Sequence, residues 1–209
     1  MSIEFYFDPS CPWCWVTSRW LTIVEAERDL DITWLPFSLA MKNGELGNDP
    51  YAKSHLASQR VHRIIEKIAQ DNQATRGDLY TAFGKAHFVD EASYDDTLIK
   101  SVLAELNISA DRYLPSADDT SLDAALQTHL DNAIDIVGDD VGVPLIIFVH
   151  DDGSKVGYFG PVITELPDKQ EALDLWDGLE KLASNKSFFE LKRSRTSGAN
   201  TASTRDLFS

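Results

Sequence analysis

Cysteine is nearly absent: the 209 residues include two, Cys11 and Cys14. A disulfide framework is therefore excluded. Long apolar runs are missing too. No stretch approaches the roughly 20 residues of a membrane-spanning helix, and the N-terminus lacks the basic and apolar regions of an export signal. Positive charge is scarce, with 19 Lys and Arg against 34 Asp and Glu. That balance argues against nucleic acid or an anionic membrane as partner. There is no G-x-G-x-x-G, no P-loop and no internal repeat, so motifs give a nucleotide cofactor no support. The expectation is a cytoplasmic protein, built as one domain with an insertion or as two packed lobes, with 43% apolar residues to fill a core.

What is present is a placement. The two cysteines stand as Cys11-Pro12-Trp13-Cys14, directly after the apolar run Phe5-Tyr6-Phe7 and the breaker Asp8-Pro9-Ser10. A C-x-x-C at a strand-to-helix junction is the thioredoxin-like redox signal. Positions i and i+3 share one face of a first helical turn, within reach of a disulfide. Cys11 at the N-cap meets free N–H groups and the positive end of the helix dipole, which favour a thiolate. Cys14 is the more shielded partner, and Pro12 suits a first turn that needs no donor. A structural zinc would want four Cys or His ligands, and none of His55, His62, His87, His129 and His150 pairs with the motif. A permanent staple is the other plain reading, and a chain with a large core has little need of one.

The pattern along the chain is β-α-β, a helical stretch, then α-β-β-α. Alternation over residues 2–7 gives a strand, a 3.6-residue period to about Leu30 a helix, and alternation over 32–39 a second strand. Pro36 suits an edge position. After the loop of Gly44, Gly47 and Asp49-Pro50, helices are expected over about Tyr51–Asp71, Asp78–His87 and Asp95–Leu106, with a short turn at Ala110–Leu114. A further helix capped by Thr120 or Ser121 stops at Gly138, a hairpin spans Leu145–Phe159, and Asp168 caps the last helix. The partition read from this is a thioredoxin-like domain over 1–44 and 119–190, an all-helical insertion over 45–118, and a flexible Ser/Thr-rich tail over 191–209.

Further chemistry attaches to a few residues. Val143-Pro144 opens a buried strand; opposite a C-x-x-C it fits a cis-proline loop whose backbone can pair with a substrate. Trp13, between the cysteines, can cover the sulfurs or stack on a flat substrate, whereas Trp15 is expected at the interface with the insertion. No histidine lies between the cysteines, so stabilisation of a thiolate falls mainly to the helix terminus. Asn43, Tyr51 and His87 have ordinary readings as loop, helix-start and helix-end residues, and are candidates for lining a pocket.

The stretches Phe7-Asp8-Pro9, Cys11-Pro12-Trp13-Cys14-Trp15, Thr17-Ser18-Arg19-Trp20, Ser38-Leu39-Ala40 and Leu79-Tyr80-Thr81-Ala82 resemble the DsbA-like branch of the thioredoxin superfamily. So do Gly138 to Pro144, Phe159 to Val162 and Phe188 to Arg193. More narrowly the chain is similar to the actinobacterial mycothiol-dependent reductases described as nitroreductases. The resemblance implies an α/β thioredoxin-like fold with an all-helical insertion domain, Cys11 as attacking thiolate and Cys14 as resolving thiol. It implies reducing equivalents from mycothiol, a low-molecular-weight thiol, with no metal, flavin or nucleotide. Trp13, Val143 and Pro144, together with Asn43, Tyr51 and His87, would bind substrate, and the insertion would move as a lid.

The reading is a thiol-disulfide oxidoreductase acting on a disulfide, an electrophilic or a nitro-type small molecule. Its rivals are a thioredoxin-fed oxidoreductase, an enzyme like the kappa glutathione transferases or isomerases of the same fold, and a redox-switched binding module. Oligomeric state is open.

Overall fold

The computed structural model describes residues 2–44 and 50–209. Its centre is a four-stranded sheet in the order β2-β1-β3-β4. β1 (Ser2–Phe7) pairs in parallel with β2 (Asp31–Pro36) and antiparallel with β3 (Leu145–Val149), which pairs antiparallel with β4 (Lys155–Phe159). β1 is thus flanked on both edges, and Ile3, Phe5, Tyr6 and Phe7 are all buried. β2 is an edge strand, as Pro36 suggested.

Between β1 and β2 runs α1 (Pro12–Arg28), and the chain ends its second sheet segment earlier than alternation implied. Residues 37–39 do not continue the strand. Pro36 has no N–H to donate, and the Ser38 hydroxyl accepts from Met41 N, capping a short helix α2 (Leu39–Asn43). The helical stretch comprises α3 (Ala52–Gln70), α4 (Arg76–Gly84), α5 (Asp96–Glu105) and α6 (Ala110–Tyr113). α4 runs on into a π-helical turn, Lys85–Val89, where regular helix to His87 was expected. Asp119, rather than Thr120 or Ser121, caps the 3-10 turn leading into α7 (Asp123–Val137). α8 (Lys169–Ala183) carries the expected Asp168 cap, completed as a capping box by Glu171. Among the described residues no helix is long and apolar enough to cross a membrane.

α4 lies close against the sheet and α1 because two glycines stand on one of its faces, two turns apart. A Cβ on Gly77 would fall 2.7 Å from Trp34 Cδ1, and one on Gly84 would fall 2.3 Å from Trp15 Cζ3. Between them Tyr80 packs against Phe7 of β1, ring centres 4.1 Å apart and planes tilted by 32°. The helical stretch is therefore fused to the strand that leads into the cysteines.

The C-terminal segment departs from expectation. Thr201–Phe208 forms a 3-10 helix, not a loose tail. Phe208 stacks on Trp15 at 5.8 Å, and Thr204 is buried with its Oγ1 accepting from Trp15 Nε1. Composition misled here because one phenyl ring and one hydroxyl, given a matching tryptophan, hold a segment that is otherwise polar.

Candidate active site

Cys11 is the N-cap of α1, with extended backbone (φ −87°, ψ 110°), and Pro12 opens the helix. Its Sγ accepts from the Cys14 N–H at 3.4 Å, a hydrogen bond that a thiolate strengthens. The Cys11 thiol faces the Val143 carbonyl oxygen at 3.7 Å. The Val143–Pro144 peptide is cis. Both cysteines are free; Cys11 is 7% exposed and Cys14 fully buried. Burial, then the hydrogen bond and charge of Cys11, push the Cys14 thiol well up, against a smaller opposing hydrogen bond from the Asp8 backbone. An attacking sulfur within reach of solvent and a protonated partner beneath it is the division of labour that dithiol exchange needs.

Asp8 organises the turn ahead of the cysteines. Its Oδ1 accepts from Ser10 N at 2.8 Å and Ser10 Oγ at 2.6 Å, and its carbonyl accepts from Cys11 N at 3.0 Å. Its Oδ2 accepts from Leu39 N at 2.8 Å and lies 3.3 Å from His62 Nε2. Burial alone would raise this carboxyl, but His62, Ser10 and the Leu39 N–H outweigh it and hold the value at about 2. His62 comes from α3 and is wholly buried, stacked on Phe7. A second tie crosses from the helical stretch: Tyr94 donates its hydroxyl to the Pro9 carbonyl at 3.0 Å.

The other expected site residues are dispersed. Trp13 is half-buried, with the Arg195 guanidinium carbon 5.1 Å from its ring centre. Trp15 is core, between α1, the π-helical turn and the C-terminal segment, with Phe88 and Phe208 stacked on it. Arg19 lies over the same ring at 4.6 Å, and burial lowers its guanidinium to about 10. His87 does not face the cysteines through any contact of its own. It stacks on Tyr94 at 4.2 Å and its Nδ1 lies 2.7 Å from the Ala92 carbonyl, so it backs the residue that holds Pro9. Burial lowers its pKa, with the Ala92 carbonyl opposing. Asn43 is exposed at the end of α2, and Tyr51 is 66% exposed at the N-cap of α3, its ring 6.2 Å from that of His55. The loop residue Gly47 and Asp49, between them, lie outside the described residues. A cavity of about 730 Å³ sits elsewhere, beside β2 and the start of α4, lined by Trp34, Gln73 and Asp78 among others.

Sequence reading missed His62, Tyr94, Arg195 and Thr204. A signal existed for one of them: His62 interrupts the apolar face of Val61, Ile64, Ile65 and Ile68, and a lone imidazole at such a place needs a buried partner.

Comparison with known proteins agrees with this geometry. The model of a family described as Rv2466c-like, mycothiol-dependent nitroreductase Rv2466c, matches residues 10–193. A protein of Mycobacterium tuberculosis (strain ATCC 25618 / H37Rv) described as uncharacterized protein Rv2286c is 28% identical over 204 residues, covering 93% of this chain and 83% of its own. Among solved structures, the cytosolic disulfide reductase DsbM from Pseudomonas aeruginosa with GSH superposes with a TM-score of 0.59 at 13% identity, over 87% of this chain and 100% of that one. The disulfide oxidoreductase DsbA from Proteus mirabilis gives 0.51 at 14% identity, over 88% of this chain and 88% of that one. The structures share the DsbA-like thioredoxin fold. With the family model spanning the dithiol, the cis-proline and nearly everything between, the chain belongs to the Rv2466c-like family of mycothiol-dependent nitroreductases and is an enzyme of the thiol-disulfide oxidoreductase class.

Proposed function

We propose that the enzyme uses Cys11 and Cys14 to reduce disulfides and electrophilic or nitro-type small molecules in the cytoplasm, with mycothiol as the thiol that restores the dithiol. One observation carries the reading: Cys11 Sγ lies between the Cys14 N–H at 3.4 Å and the Val143 carbonyl at 3.7 Å, with the second thiol buried behind it.

With a disulfide substrate the Cys11 thiolate attacks one sulfur, the substrate S–S bond breaks, and the departing thiolate takes a proton. The Cys14 thiol loses its proton and attacks Cys11 Sγ, releasing the second half of the substrate as a thiol and leaving Cys11–Cys14 oxidised. Two molecules of mycothiol then supply two electrons and two protons in two exchanges, leaving as mycothiol disulfide. Trp13 and the Val143 backbone bind the incoming group. Asn43 and Tyr51 are further candidates for contacting it, and His87 acts through Tyr94. The Asp8 anchor keeps the turn in register for the in-line attack.

The test is reduction of the oxidised protein by mycothiol and, in a separate reaction, by thioredoxin, followed by tryptophan fluorescence and free-thiol count. Reduction by mycothiol alone is expected. Reduction by thioredoxin alone would replace the donor, and resistance to both would make the pair structural. The family description, mycothiol-dependent nitroreductase, supports the donor and the nitro substrate.

A further inference from the structure

We propose that Arg195 is a substrate-binding residue, which makes the mouth of the dithiol prefer disulfides and electrophiles bearing a carboxylate or phosphate. The inference rests on the dithiol reading above and specifies its substrate class.

The chain carries a net charge of −15, so a cation left without a carboxylate is conspicuous. Arg28, Arg60, Arg63, Arg76, Arg112 and Arg205 each have one, at 3.1 Å or less. Of the other three, Arg19 is buried over Trp15 and Arg193 is exposed with no ring contact among the described residues, which leaves Arg195 as the one set on a ring of the dithiol turn. Arg195 makes no ion pair or hydrogen bond among the described residues. It lies on the face of Trp13, between the two cysteines. A guanidinium stacked on an indole keeps its in-plane N–H donors, five in a flat fork, available for an anion. Lys192 and Arg193 precede it, both exposed, so three positive charges fall within four residues of this strap.

The strap is held on both sides, which separates it from a loose basic arm. Before it, the Phe188 carbonyl accepts from Tyr158 OH at 2.9 Å. After it, Asn200 N donates to the Thr164 carbonyl at 2.6 Å, and Ser203 Oγ accepts from Leu166 N at 2.9 Å. Thr204 then takes the indole N–H of Trp15, the neighbour of Cys14. The first turn of α1 is therefore touched twice by the C-terminal segment, at Trp13 and at Trp15. The placement answers the gap noted in the sequence, since no histidine between the cysteines supplies positive charge there. An anion arriving at Arg195 sits over Trp13, the second residue of α1, where the helix terminus adds to the attraction. Arg195 takes no part in the bond changes: the Cys11 sulfur forms the new S–S bond, the substrate S–S bond breaks, and the electron pair leaves on the departing thiolate.

The experiment follows oxidation of the reduced full-length protein by two aromatic disulfides in single turnover. One is the dianion 5,5′-dithiobis(2-nitrobenzoate), the other the uncharged 2,2′-dipyridyl disulfide. Wild type, Arg195→Gln and Arg195→Lys are compared at low and high salt. The expected result is that the wild-type preference for the dianion falls about tenfold on raising salt and by as much in Arg195→Gln, with Arg195→Lys in between. A change in Cys11 reactivity would move both reagents together and leave that ratio alone. An unchanged ratio in Arg195→Gln overturns the proposal while leaving the dithiol reading intact. Failure of both reagents to oxidise wild-type Cys11 overturns the dithiol reading and this inference with it.

Discussion

The indole nitrogen of Trp15 donates to the hydroxyl of Thr204, 2.9 Å away and 189 residues further along the chain. Both groups are buried, and the Phe208 ring lies nearly parallel to the indole at 17°. Replacing Thr204 by Val keeps the shape and leaves a buried N–H without a partner, which costs about 1–3 kcal/mol. Urea unfolding of Thr204→Val measures it. A loss below about 0.5 kcal/mol, the scale of an ordinary surface substitution, would mean the segment is not docked in solution.

Gly84→Ala is expected to be destabilising, because its Cβ has no room 2.3 Å from the Trp15 ring. Overpacking of this kind costs about 1–3 kcal/mol. Gly178→Ala in α8 is the contrast, since nothing lies within 4 Å of its Cβ and the helix gains up to about 1 kcal/mol from alanine. Thermal melts of the two variants should move in opposite directions, and a common direction would place α4 wrongly against Trp15.

The Asp8 carboxyl holds its proton less readily folded than unfolded, at about 2 against 3.8. Its share of stability is therefore complete above about pH 4 and disappears as pH falls through about 2. The advantage of wild type over Asp8→Asn should shrink across that window by on the order of 2 kcal/mol. Unfolding free energies of the two proteins at pH 6, 4, 3 and 2 give the comparison. A gap that stays constant would show that the carboxylate is not held by His62 and its neighbours.

Cys11→Ser should abolish turnover, and Cys14→Ser should accumulate an adduct heavier by one substrate half or one mycothiol, seen by intact mass. The asymmetry is expected from burial, since Cys11 is within reach of solvent to attack and Cys14 is enclosed behind it to resolve. Full activity in Cys11→Ser would sink the mechanism.

Much of this architecture is local and could be read in the chain. Alternation placed β1, Cys11 followed by Pro12 marked a helix start, and Gly142-Val143-Pro144 before an apolar run marked the loop opposite the sulfurs. Boundaries failed where a neighbour decided them. Ser38 drew the chain into α2 through its hydroxyl, and α4 passed into a π-helical turn that no residue pattern marked. The contacts that set the site were out of reach for another reason. Asp8 and His62 lie 54 residues apart, and nothing near either names the other. Arg195 read as part of a polar tail because its partner, Trp13, belongs to the opposite end of the sequence.

The two ties from the helical stretch to the reactive turn, His62 on Asp8 and Tyr94 on Pro9, bear on engineering. Residues 8–15 are not a portable cassette. Moved to a smaller scaffold, they would carry the sulfurs but leave a carboxylate enclosed without its imidazole, and a carbonyl without its phenol. Chimeras that exchange the helices among relatives should therefore preserve those two side chains before any residue at the mouth. The smallest working reductant obtainable from this chain keeps α3 and the Tyr94 segment, however far the rest is trimmed.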